Sequence, residues 1–325
     1  MEKEAKRGHS LSPKLPNLIF LGTPDFAVPS LQALAERKAD IKLVISQPDR
    51  PKGRGKKLSP PPVKVLAEKL NLPIFQPERI KAQSSIERVL SCNAECAVLV
   101  AYGQLLPEEF LNGFPLGTLN VHASLLPHHR GAAPIQRAIL AGDAKTGVSI
   151  MLLDRGMDTG PVLSRREIEI LGDDTSGSLH DKLAQVGAEL LCETLEKWRA
   201  GIIQPQPQND TEATYAPPIT KEELRLLWHL PANRLVNTIR AFDPWPGAFA
   251  LYAGKRLKCF RASLLDWQVE GKPGEVVGQM EKGLLVIGGD GRSLVIGDLQ
   301  LEGQRRLAAK EFLRGHPFPA GSLLE

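Results

Sequence analysis

Three short, dominantly apolar runs constrain the fold more than any other feature of the chain: Asn17–Gly22 (NLIFLG), Ile41–Ser46 (IKLVIS) and Cys96–Ala101 (CAVLVA). Nearly continuous apolar side chains over so short a stretch suit a strand covered on both faces, the setting of a parallel sheet flanked by helices. Helical patterns separate the runs, one through Leu31, Leu34 and Ala35 and one over Lys64–Leu70. This alternation predicts an α/β, Rossmann-like domain with a mostly parallel sheet, whose ligands sit beyond the carboxyl ends of the strands. GTPDFAVPS follows the first run in place of GxGxxG, and no Walker A loop is present, which disfavours the usual NAD and ATP enzymes.

At 325 residues the chain exceeds a single core, so two domains are expected. Residues 204–218 (QPQPQNDTEATYAPP) hold four prolines and few large apolar side chains, the composition of an extended linker. A long amphipathic helix is predicted before it, over Thr175–Arg199, and a helix around Pro231 after it, over Glu222–Arg240. Glycine-broken runs then follow (Ala248–Tyr252, Leu257–Phe260, Glu275–Gly278, Leu284–Gly288, Ser293–Ile296), as in a small all-β sandwich or barrel. The expected organisation is an N-terminal extension 1–16, an α/β domain 17–203, a linker 204–220 and a β domain 221–325. No apolar run reaches the ~20 residues of a membrane helix, so no membrane partner is expected. The opening MEKEAKRGHSLSPKLP lacks the apolar core of a signal peptide, and the four cysteines form no CxxC pair. A reduced, cytoplasmic setting follows. Nothing demands more than a monomer.

Net charge is only +4, but its distribution is uneven. Arg50, Lys52, Arg54, Lys56, Lys57 and Lys64 stand against the single acid Asp49 within residues 46–64, an excess larger than that of the whole chain. Such a cluster favours polyanions, although a solvated loop has the same composition. Residues 208–325 hold 15 basic and 14 acidic residues, so any polyanion binding there requires patches: Lys255, Arg256, Lys258 and Arg261 in one run, and Arg306, Lys310 and Arg314 at a four-residue spacing that would share one helix face.

Chemistry concentrates at 117–137 (GTLNVHASLLPHHRGAAPIQR). In a strand over Thr118–His122, Leu119 and Val121 face one way and Asn120 and His122 the other. An amide donor beside an imidazole can orient a carbonyl and stabilise charge developing on its oxygen. Two satisfied polar groups at a strand end are the bland alternative. Farther on, Asp158 lies within DRGMDTG between two strand-like runs. It either caps its own turn or holds the tautomer of His122 and stabilises the imidazolium.

Asn120-x-His122, Ser124-Leu125-Leu126-Pro127, Arg130-Gly131-Ala132-Ala133-Pro134 and Asp158-Thr159-Gly160 together resemble the formyltransferase family that uses 10-formyltetrahydrofolate. The likeness extends to the opening FLGTPDFAVPSLQAL, to AYGQLLP at 101–107 and to RAFDPWPGAF at 240–249. HRGAAPIQ, the GTPDFA opening and the C-terminal domain point to the branch whose acceptor is methionyl-tRNA.

The resemblance implies that Asn120, His122 and Asp158 are catalytic. It implies that Ser124, Leu125, Leu126 and Pro127 contact the folate. Arg50, Lys52, Arg54, Lys56 and Lys57 would contact the acceptor arm of methionyl-initiator tRNA. It further implies 10-formyltetrahydrofolate as co-substrate, no metal, and an OB-like barrel for residues 221–325. His128 and His129 stand where many relatives carry Arg and Trp, and their loop spacing is not that of a metal site. A formate-releasing hydrolase, a sugar-amine formyltransferase and a catalytically silent RNA-binding protein are the competing classes. The first would not need the basic loop, the second often carries a dehydrogenase domain, and the third would lose Asn120, His122 or Asp158. A Ser-His-Asp hydrolase on Ser124 lacks the G-x-S-x-G elbow.

Overall fold

Leu18, Ile19, Phe20 and Leu21 are all fully buried, which explains why the first apolar run has no alternation. The computed structural model describes residues 14–325 except 53, 54, 56 and 320, with only the backbone of Lys52 and Lys57. Arg54, Lys56 and most of the expected 1–16 extension therefore lie outside the described residues. In chain order the elements are β1 (Leu18–Gly22), α1 (Val28–Glu36), β2 (Ile41–Ile45), β3 (Arg50–Lys52), β4 (Lys57–Ser59), α2 (Pro62–Lys69), β5 (Ile74–Phe75), α3 (Gln83–Leu90), β6 (Cys96–Val100), α4 (Glu108–Leu111) and β7 (Thr118–His122). There follow α5 (Pro134–Ala141), β8 (Lys145–Leu152), β9 (Val162–Glu169), α6 (Ser176–Arg199), α7 (Ala232–Ala241), β10 (Ala248–Tyr252) and β11 (Lys255–Gln268). The last are β12 (Val276–Met280), β13 (Gly283–Ile287), β14 (Arg292–Leu301), β15 (Leu307–Ala308) and α8 (Ala309–Gly315). The chain divides into two compact units, Met1–His122 with Val148–Arg166 and Ala184–Asn209, and Ala123–Gly147 with Glu167–Leu183 and Asp210–Glu325.

In the first unit the three apolar runs lie side by side as β2, β1 and β6, within a sheet of order β5-β2-β1-β6-β7-β8-β9. The pairings β2–β5, β1–β2, β1–β6 and β6–β7 are parallel, and β8 then runs antiparallel to β7. This is the expected Rossmann-like, mostly parallel sheet. Alternate residues Ile19, Leu21, Leu43 and Ile45 pack with Ile80, Val89, Phe110 and Phe114 in one core cluster. Each such side chain contributes about 1.5–3 kcal/mol on burial. β1 ends at Gly22, where a Cβ would lie 2.8 Å from that of Ala27 and 2.9 Å from the Phe20 ring. Only glycine lets the chain turn away so tightly there.

The β strands of the second unit form an antiparallel sheet of order β10-β11-β14-β13-β12, with β15 on β14. The expected OB-like barrel is corrected in one respect: among the described residues the edge strands β10 and β12 do not pair with each other. The C-terminal residues meet both edges. Leu251 and Glu325 exchange two backbone hydrogen bonds, at 2.6 and 2.9 Å, and the Val276 N–H donates to the Ser322 carbonyl at 2.9 Å. An irregular segment thus satisfies the edge groups that closure would otherwise pair. α7 packs on β11 and α5. The helix expected over Glu222–Arg240 begins only after Pro231, because proline lacks the N–H that a helix interior needs.

RAFDPWPGAF braces this unit. Arg240 donates to the carbonyls of Asp174, at 2.7 Å, and Leu171, at 2.5 Å. Asp243, 3% exposed, accepts from Arg306 at 2.8 and 3.3 Å and from the Arg261 N–H at 2.9 Å. Arg306 therefore precedes α8 and serves this carboxylate and Asp298, at 2.9 Å. The expected helix face holds only Lys310 and Arg314 of the three.

Asp174 organises the start of α6. Its carboxylate accepts from the Leu171 N–H at 2.9 Å, the Ser178 hydroxyl at 2.8 Å and Lys182 at 2.7 Å. Burial pushes its pKa up, but Lys182, the Leu171 N–H and Ser178 outweigh burial and hold it below the usual carboxylate range. A depressed folded-state pKa gives stability that is present above the unfolded value and is lost as pH falls through the folded one. Wild-type stability should therefore decline below about pH 4. In acid titrations followed by circular dichroism, Asp174→Asn should be less stable than wild type at neutral pH, and the difference should shrink toward pH 2. A constant difference would remove Asp174 from the acid limb.

Candidate active site

β7 carries Asn120 and His122 on alternate positions of one strand, as the period of two requires, and both are only 6% exposed. Leu119, Val121 and Thr118 are buried too, so the apolar back and the polar front are both covered. β8 pairs antiparallel with β7 in the register His122↔Ser149 and Leu119↔Leu152. That pairing returns the chain along β7 and delivers the loop 153–161 to it. Asp158 faces both polar residues: its Oδ2 lies 3.6 Å from His122 Nδ1, and its Oδ1 accepts from Asn120 Nδ2 at 3.5 Å. Both separations lie at the long end of the hydrogen-bond range.

The loop is held by its own side chains. The Asp154 carboxylate accepts from the Gly156 N–H at 2.9 Å and from the Thr159 hydroxyl at 2.8 and 3.0 Å. Asp158 has a φ of 55°, in the left-handed region. Gln208 fixes it there by donating from Nε2 to the carbonyls of Asp158, at 2.8 Å, and Gly160, at 2.7 Å. Asp tolerates this region because its short polar side chain can hydrogen-bond locally. Gln208 was hidden in the proline-rich stretch, whose composition carries no signal for this role.

Gly160 sets how closely the loop approaches β8: a Cβ there would fall 1.9 Å from the Leu152 carbonyl oxygen. Gly160→Ala is expected to cost about 1–3 kcal/mol of stability, as overpacking does, and to lower turnover by shifting Asp158. Thermal melts with steady-state assays check this; an unchanged melt and turnover would show that the close approach does not position the loop.

At the carboxyl ends of β1, β2 and β6 a second polar set appears that the sequence did not reveal. The Thr23 hydroxyl donates to the Tyr102 carbonyl at 2.9 Å and accepts from the Gln47 N–H at 3.3 Å, while Gln47 Nε2 donates to the same carbonyl at 3.2 Å. Burial pushes the Tyr102 phenol up to about 12. Burial also raises the thiols of Cys192, to about 11, and Cys259, to about 12, so neither is a thiolate nucleophile at neutral pH.

The segment Ser124–Pro127 belongs to the second unit. Ser124 is fully buried and its hydroxyl donates to the His128 carbonyl at 2.6 Å; Leu126 is 1% exposed and Pro127 is buried, which leaves Leu125 half-buried at the surface. His129 Nε2 lies 2.7 Å from Asp143 Oδ2. Among the described residues no three His, Cys, Asp or Glu side chains gather as a metal site.

The basic loop is a hairpin, with β3 and β4 in the register Arg50↔Ser59 and Lys52↔Lys57. Arg50 is exposed and meets exposed Glu78 at 3.6 Å. Lys64 takes Asp49, the one acid of the stretch, at 2.8 and 3.0 Å, and its hydrogen bonds hold the Asp49 carboxyl below the usual range.

The Formyl transferase family matches residues 16–195, and the Formyl transferase C-terminal domain matches residues 218–317. Methionyl-tRNA formyltransferase of Pelobacter propionicus is 47% identical over 95% of this chain and 96% of its own length. The protein of that name from Caldanaerobacter subterraneus subsp. tengcongensis is 45% identical over 95% of this chain and 99% of its own. Among solved structures, methionyl-tRNA formyltransferase from Clostridium thermocellum aligns with a TM-score of 0.57 at 18% identity, covering 88% of this chain and 99% of that one. HypX from Aquifex aeolicus in complex with tetrahydrofolic acid aligns with a TM-score of 0.62 at 19% identity over 95% of this chain, which spans 50% of HypX. The two structures share the fold; the near full-length identities say more, and by them the chain belongs to the formyl transferase family, with the methionyl-tRNA formyltransferases.

Proposed function

We propose that the protein transfers the formyl group of 10-formyltetrahydrofolate to the free α-amino group of methionyl-initiator tRNA, giving N-formylmethionyl-tRNA for translation initiation. The convergence of Asn120, His122 and Asp158 at the end of β7 carries the mechanism. The amine nitrogen bonds to the formyl carbon and the bond from that carbon to N10 breaks. One proton leaves the amine and one arrives at N10, so no oxidant or reductant is consumed. A buried amide and a buried imidazole suit a formamide-like oxygen. The Asn120 N–H donates where negative charge develops, and His122 shares that charge and handles the proton. Asp158 orients the imidazole and stabilises its protonated form. Losing one such donor typically costs about 10²–10³ in turnover.

In this reading Ser124–Pro127 hold the folate, with Leu125 and the backbone of the loop making the contact, since Ser124 and Leu126 are turned inward. Arg50, Lys52, Arg54, Lys56 and Lys57 meet phosphates of the acceptor arm. Residues 17–203 form the transfer domain, 204–220 the connection and 221–325 an OB-like domain that approaches the RNA through Lys255, Arg256, Lys310 and Arg314. The protein acts as a cytoplasmic monomer.

The test is formyl transfer from 10-formyltetrahydrofolate with and without methionyl-initiator tRNA. Label in the aminoacyl group that depends on both substrates is the expected result. Free formate released without tRNA would place the chain among the hydrolases instead.

A further inference from the structure

The hairpin β3–β4 has little to hold it in place by itself. Its strands are three residues each, and among the described residues they pair only with each other. An isolated two-stranded ribbon is marginal in water. Its root, however, is fastened on both sides. Asp49 lies one residue before β3, and Lys64 lies in the first turn of α2, five residues after the end of β4. The Lys64 ammonium donates to both Asp49 oxygens, at 3.0 and 2.8 Å, and so joins the two ends of the ribbon. Gln76 follows β5 directly and ties that pair to the sheet. Its Nε2 donates to Asp49 Oδ1 and to the Gln47 carbonyl, both at 2.8 Å. Gln47 is held in turn by Thr23 and Tyr102, as described above, and its Oε1 accepts from Gln104 Nε2 at 3.3 Å. Asp49, Lys64 and Gln76 are all half-buried, and every contact of this chain lies within the first unit.

On charge alone Asp49 is out of place, because an acid among cations that meet a polyanion weakens their field. We propose that Asp49 and Gln76 are positioning residues for the acceptor RNA: they clamp the root of the hairpin, so that the cations of 50–57 are presented in one arrangement before RNA arrives. Binding then does not have to order the ribbon, and the ordering cost avoided appears as affinity. Pairing with Lys64 limits what the carboxylate subtracts from the local field. The proposal rests on the reading of the hairpin as an RNA-binding element.

The full-length variants Asp49→Ala and Gln76→Met test it, with methionyl-tRNA as the probe. Charge and clamp predict opposite signs for Asp49→Ala. Removing an acid and freeing Lys64 would tighten RNA binding, whereas loosening the root weakens it. Both variants should bind methionyl-tRNA about threefold to tenfold more weakly, the worth of ordering one or two side chains, and the effect should fall on KM rather than kcat. Gln76→Met alters neither the charge nor, to any great extent, the size of the side chain, so its loss is not electrostatic. The slope of log affinity against log salt should not flatten in either variant, because no cation is removed. In the free proteins the amides of β3 and β4 should exchange with solvent about tenfold faster than in the wild type, since the root opens more easily. Thermal melts confirm that the variants remain folded. Equal or tighter RNA binding by Asp49→Ala would overturn the proposal. So would unchanged RNA binding by Gln76→Met, or amide exchange equal to that of the wild type in both variants. A salt slope that survives exchange of all five hairpin cations for glutamine would remove RNA from the hairpin, and the proposal with it. Amide exchange of the free protein would still report the clamp, which keeps the two failures distinct.

Discussion

Replacing His122 by alanine is expected to lower kcat for formyl transfer by about 10²–10⁴, as removal of a positioned acid–base group does, while 10-formyltetrahydrofolate still binds. The size of the effect follows from where the ring sits. It is 6% exposed at the end of β7, so water cannot readily substitute for it, and its Nδ1 faces the Asp158 carboxylate at 3.6 Å. Asp158→Asn separates two roles. It keeps the side-chain shape but removes the charge that would stabilise the imidazolium, so kcat should fall while the loop, held by Asp154 and Gln208, keeps its place. Single-turnover rates with saturating folate read the chemical step, and thermal melts confirm that the variants remain folded. Near-normal turnover of folded His122→Ala would remove the imidazole from the mechanism.

Exchanging Arg50, Lys52, Arg54, Lys56 and Lys57 for glutamine should weaken tRNA binding on the order of 10²-fold or more at low salt. It should also flatten the plot of log affinity against log salt by about 0.9 for each phosphate that is no longer neutralised. The expectation rests on how little negative charge the stretch itself supplies. Lys64 takes its only acid, and the Arg50–Glu78 pair is exposed on both sides, a geometry worth little. Turnover at saturating tRNA should change far less than binding, because the hairpin does not belong to the Asn120–His122–Asp158 set. Binding measured from 50 to 300 mM salt decides the matter. A slope equal to that of the wild type would mean that the hairpin touches no phosphate.

The parallel sheet was legible because its evidence is local. A strand buried on both faces must be apolar throughout, and β1, β2 and β6 appear where the three runs lie. Asn120 and His122 were legible for the same reason, since a period of two within one strand places them together. The helix over Thr175–Arg199 was visible from its apolar stripe and is found at Ser176–Arg199. Local spacing misled in one place. Arg306, Lys310 and Arg314 repeat every four residues, yet Arg306 leaves the helix to neutralise Asp243, a carboxylate 63 residues away and 3% exposed. A buried charge without its partner costs more than a helical turn returns.

By itself the sequence determined the α/β sheet, the amide–imidazole pair on β7 and the concentration of cations at 50–57, because each depends on neighbours within a few residues. Only the tertiary structure decided that Asp158 meets His122, that Gln208 holds the loop carrying Asp158, and that the C-terminal residues meet both edges of the β sheet. Those contacts join positions tens of residues apart. Antiparallel pairing, backbone hydrogen bonds and the fit of a glycine against a carbonyl bring them together, and none of these leaves a periodic trace in the order of the residues.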